Sequence, residues 1–78
     1  MQKEGETMMP LAFADPGTEL VIKRVGGRPE MKKHLEDLGF VTGGRVTIVS
    51  EMAGNLIVNV KESRVGIDRE LASKVFVA

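Results

Sequence analysis

LEDLGFVTGGRVTIV, running from Leu35 to Val49, holds the end of a helix, a stop, a turn and the start of a strand. Met31, Leu35 and Leu38 recur at helical spacing, so one face of the segment leading into this stretch is apolar. Pro29 stands where a first helical residue belongs, because its missing N–H has no intrahelical partner to lose. Gly39 can take the left-handed conformation that closes a helix, and Phe40 is placed to fold back onto Leu35. The pattern predicts a helix over Pro29–Leu38. Gly43-Gly44 then turns the chain, and Val46 and Ile48 belong to a strand from Arg45 to Met52.

Short strands flank this junction. Thr18 to Val25 reads as one, with Leu20 and Ile22 on one face and Glu19, Val21 and Lys23 on the other; a turn on Pro16-Gly17 precedes it. A helix of ten residues is too short to hold alone, so its apolar stripe must pack on the sheet. Past Met52, Ala53-Gly54-Asn55 makes a tight turn, and Leu56 to Lys61 follows as a strand with Leu56, Val58 and Val60 alternating against Ile57 and Asn59. Glu62-Ser63 reverses the chain into Arg64–Ile67. Asp68 can cap a helical turn over Arg69–Ser73, and Val75–Val77 closes the chain. Residues 1–9 lack periodicity and read as a disordered tail, with the folded domain over residues 10–78. The fold class is mainly β: a small barrel with one inserted helix and a short helical turn before the last strand. Short strands in a small chain remove their open edges best by curling into a barrel.

Composition narrows the function. A chain of 78 residues buries only ~60% of its unfolded surface, and with no cysteine it has neither disulfides nor thiolate metal sites to support a thin core. Eleven basic residues balance eleven acidic ones, which argues against an affinity built on nucleic-acid phosphates. Lys23, Arg24 and Arg28 read as solvated charge at a strand end and a loop. With three phenylalanines, at least two of them assigned to the core, and no Tyr or Trp, the surface lacks the aromatics that stack bases or grip proline-rich peptides. Met8 to Phe13 is too short and proline-broken for a signal or membrane segment, so a soluble cytoplasmic protein is expected.

Catalysis is poorly served. One histidine, no cysteine and no Gly-x-Ser-x-Gly elbow leave no activated nucleophile. The glycine pairs lack the Lys-Ser/Thr ending of a phosphate loop, and Glu36-Asp37 point about 100° apart on a helix and cannot share a proton. The chain reads as no enzyme. Glu30 and His34, one helical turn apart, could offer two ligands to a divalent metal, with Asp68 or Glu70 as spatial additions; the plainer reading is a solvated helix face. A protein-contact surface is sought among apolar residues outside the core pattern: Met52 first, then Val21, Val41 and Ile57.

Three stretches resemble the FeoA family of small bacterial proteins that accompany the ferrous iron transporter FeoB: ADPGTEL (Ala14–Leu20), LEDLGFVTGG (Leu35–Gly44) and VKESRVGIDRELASKVFV (Val60–Val77). The Leu-Gly-hydrophobic step with Gly43 is the most specific of these. The resemblance implies an SH3-like barrel on the cytoplasmic side of the membrane, held there through FeoB rather than inserted itself. The implied role is accessory or regulatory, by contact with FeoB's GTP-binding domain or its membrane part, with self-association as a further option and no nucleic-acid partner. No cofactor is required on this reading; the alternative is a domain sensing divalent metal such as ferrous iron. FeoA-like domains also occur in iron-dependent repressors, but no helix-turn-helix signature accompanies this one. The chain departs from the family pattern in two turns. Many relatives carry glycine where Lys61-Glu62-Ser63-Arg64 stands, and many have a longer, proline-containing loop at Ala53-Gly54-Asn55.

Overall fold

A computed structural model describes residues 8–78. Its elements run β1 (Met9–Pro10), a 3-10 helix (Leu11–Phe13), β2 (Glu19–Val25), α1 (Pro29–Leu38), β3 (Arg45–Met52), β4 (Asn55–Val60), β5 (Ser63–Asp68), α2 (Arg69–Ala72) and β6 (Val75–Val77). The six strands form one antiparallel sheet in the order β1-β6-β2-β3-β4-β5. Alternation dictates the inside. Leu20 and Ile22 from β2, Val46 and Ile48 from β3, and Leu56, Val58 and Val60 from β4 are all buried. Ile67 from β5 and Val75 and Val77 from β6 meet them in the same cluster. Strands at both ends of the sheet can share one core only because the sheet is rolled, and no polar or charged residue is buried among the described residues.

The helix has the bounds that its sequence predicts. Gly39 adopts φ 110°, its N–H donates to the Glu36 carbonyl at 2.9 Å, and the Phe40 N–H donates to the Leu35 carbonyl at 2.9 Å. This pair of bonds is the Schellman closure, which satisfies carbonyls that a helix end leaves open. Leu35 and Phe40 are both fully buried, while Met31 and Leu38 pack half-buried against the core. The helix is therefore fastened to the barrel mainly at its C-terminal end.

Two hairpins shape the other side. Ala53-Gly54 (φ 51° and 87°) joins β3 to β4, and Lys61-Glu62 (φ 50° and 65°) joins β4 to β5. Positive φ at both loop positions marks type I′ turns, whose twist matches the strands they connect. Lys61 thus belongs to the turn rather than to the strand assigned to it from sequence. In β3 the register shifts between Ile48 and Ser50, leaving Val49 as the bulged residue.

Asp68 caps α2 as expected, its Oδ1 accepting the Leu71 N–H at 2.8 Å. Arg69 then reaches back to pair with Glu51 and to donate to the Ala12 carbonyl at 3.4 Å, tying α2 to the end of β3 and to the 3-10 helix. Asp68→Ala should cost about 1 kcal/mol and lower Tm by roughly 4–8 °C, while Asp68→Asn, which keeps the acceptor, should lose only a fraction of that. Thermal unfolding of the two variants checks this.

The start of the domain differs from the sequence reading. Met9, assigned to the tail, pairs with Val77, and Pro10 pairs with Phe76, so strand pairing begins at Met9. Of the rest of the tail assignment, Met8 is exposed and belongs to no element, and residues 1–7 lie outside the described residues. The phenylalanines also differ. Phe40 alone is fully buried; Phe76 is half-buried with the Arg24 guanidinium 5.6 Å from its ring centroid, and Phe13 is 72% exposed. That stacking gives Arg24 a partner on its own barrel.

Candidate interaction surface

The strand register sorts the sequence candidates into two places. On the outer face, Ser50 faces Ile57, which faces Gly66, and one pair further along Met52 faces Asn55. Met52 is 66% exposed and Ile57 half-buried, its Cδ1 lying 3.4 Å from where a Cβ on Gly66 would sit. Val49, placed on the outer face by alternation from the buried Val46 and Ile48, is 38% exposed and joins this end of β3. The bulge that follows Ile48 resets that alternation and turns Ser50 and Met52 to the same face. Met52 and Ile57 are therefore brought together.

Val21 and Val41 lie elsewhere. Val21 pairs with Arg45 at the start of β3, about 20 Å from Met52 by strand rise. Val41 sits beside the same end: its carbonyl accepts the Gly44 N–H at 2.9 Å, and the Gly44 carbonyl in turn accepts the Ile22 N–H at 2.8 Å. Both valines are half-buried. Between the two apolar ends runs a polar row, Glu19, Thr47, Asn59 and Arg64, and Glu19 forms an exposed ion pair at 3.9 Å with Arg45 beside it. The four residues do not form one patch.

Sequence reasoning misses Val49 and Phe13. Val49 carries a signal, since an apolar residue directly after Ile48 breaks the alternation of the strand. Phe13 carries none, because a three-residue 3-10 helix has no period that separates its faces.

Glu30 and His34 are exposed on α1. Glu30 lines a groove of about 410 Å³ together with Gly27, Arg28, Met31, Glu70 and Lys74, so Glu70 does come near it, while His34 is not part of that wall. Among the described residues, no three His, Asp or Glu side chains gather in an arrangement able to hold a metal. Among them, too, no helix is long and apolar enough to cross a membrane.

A rolled antiparallel sheet with one helix inserted after the first long strand, and a helical turn before the last, defines a small SH3-like barrel. The chain belongs to the FeoA domain family, whose model matches residues 9–78. It is 31% identical over 70 residues to a protein of Methanocaldococcus jannaschii provisionally named Fe(2+) transport protein A, covering 90% of this chain and 85% of that one. A crystal structure described as an iron uptake regulatory protein (FeoA) superposes with a TM-score of 0.84 at 22% identity, covering 91% of this chain and 96% of that one. A FeoA of Stenotrophomonas maltophilia complexed with zinc, described as a procaryotic SH3 domain protein and a suggested ferrous iron transport activating factor, superposes at 0.79 with 26% identity. That match covers 90% of this chain and 89% of the other.

Proposed function

We propose that this FeoA domain serves ferrous iron transport as a small cytoplasmic accessory protein that docks on FeoB, associating with the membrane through that partner. The family match over residues 9–78 supports the iron link. The observation that carries the docking reading is the Val49, Met52 and Ile57 strip, apolar and open at one end of the outer sheet face. Methionine suits such a surface because its flexible, polarizable side chain adapts to a partner. Val21 and Val41, at the other end, form a separate and smaller contact candidate.

NMR titration of the labelled domain with the GTP-binding domain of its own FeoB tests this, without nucleotide, with GDP and with a GTP analogue. Shifts should centre on Met52, Ile57 and Val49, and Met52→Ala should weaken binding by about tenfold. Dependence on nucleotide would mark regulation of the GTPase. Shifts centred on Val21 and Val41 would move the site to the other end, and no shifts in any state would remove the isolated GTP-binding domain as the target.

A further inference from the structure

We propose that the outer edge of β5 pairs with β5 of a second copy of this chain, antiparallel and centred on Gly66, to join two barrels through a continuous sheet. Among the described residues, β5 pairs only with β4. The β4–β5 loop has two residues, so its closing pair, Val60 with Ser63, exchanges both backbone bonds. Alternation then turns the backbone groups of Ser63, Val65 and Ile67 toward β4 and those of Arg64 and Gly66, with the Asp68 N–H, away from it. A row of unused donors and acceptors is a template for another strand.

The side chains choose the strand. Arg64, Gly66 and Asp68 are exposed on the outer face, while Val65 and Ile67 point inward. A two-fold axis through Gly66 sets Arg64 opposite Asp68 of the second copy, and Asp68 opposite its Arg64. One register thus pairs both charges, whereas centring on Arg64 would set that cation against itself. Asp68 spends Oδ1 on the α2 cap, and a carboxylate has a second oxygen to give the facing guanidinium. Inside, Val65 meets Ile67 of the second copy, an aliphatic cross-strand pair. At the axis, the two glycines leave room on the outer face, and the Ile57 side chain of each copy already leans over its own Gly66. To a foreign strand the same charged edge is a deterrent.

The experiment uses the isolated chain, so it is independent of any contact with FeoB. Sedimentation equilibrium should show a concentration-dependent dimer, with the Arg64 and Gly66 amides exchanging more slowly as concentration rises. Arg64→Glu, an exposed substitution, should weaken the dimer by at least about tenfold, because two attractions become two repulsions. Asp68→Lys should do the same. Mixed in equal amounts, the two variants should associate again, since each charge then faces its opposite. Arg64→Glu with amide exchange decides the matter even where Asp68→Lys compromises α2. A chain that stays monomeric up to about 1 mM, or a dimer that Arg64→Glu leaves intact with a fast Gly66 amide, overturns the proposal.

Discussion

Phe40→Ala should remove about 3–5 kcal/mol of stability, the usual cost of emptying a fully buried phenylalanine site. A domain of 78 residues has about 4–12 kcal/mol to lose, so this substitution takes the protein to the edge of unfolding. Position explains the size. Phe40 follows the left-handed Gly39, its N–H closes the helix on Leu35, and its ring fills the core beside it. Losing the ring opens a cavity where α1 is fastened, beside Leu35, the one fully buried residue of the helix itself. Urea denaturation of a series provides the check. Phe76→Ala, from a half-buried site beneath Arg24, should cost less than half as much, and Phe13→Ala, from an exposed one, under about 0.5 kcal/mol. Phe40→Leu should recover most of the stability, since a repacked aliphatic side chain leaves little void. Equal losses across the three alanine variants would contradict the placement of the core.

The β4–β5 turn should respond in the opposite direction. Lys61 and Glu62 hold φ at 50° and 65°, a region where a side chain crowds the following carbonyl and which favours glycine or asparagine. Replacing the pair with Asn-Gly fits a type I′ turn, and the double variant should gain about 1–2 kcal/mol, raising Tm by roughly 5–15 °C. Ala53→Asn in the other hairpin should gain less, because Gly54 already serves one of its two positions. The relief acts on local backbone strain, so it should appear without change in the chemical shifts of β2 or β6. A double variant no more stable than the natural chain would mean that the turn carries no such strain.

Much of this architecture is legible in the sequence. The bounds of α1, β3 and β6 and the Asp68 cap all come from signals within a few residues of each other: a proline at a helix start, a glycine at its stop, period-two alternation, a carboxylate three residues before the amide it caps. The candidate surface is legible only in part. Apolar character outside the core pattern singles out Met52 and Ile57 alongside Val21 and Val41, and nothing local says which of the four share a face.

Sequence alone determined where the helix begins and ends, which residues line the strands' inner faces, and the family to which the chain belongs, because each depends on neighbours in the chain. Tertiary structure decided the rest. Pairing across more than sixty residues makes a strand of Met9 and Pro10, which are too few to show a period. The bulge at Val49, forced by the register of β3 on β4, brings Met52 beside Ile57 and leaves Val21 at the far end. The edge position of β5, and with it the surface open to a second copy, exists only once the order of strands is fixed. Which strands are neighbours, and which outer-face residues they bring together, are properties of contacts between distant segments, and no pattern within one segment encodes them.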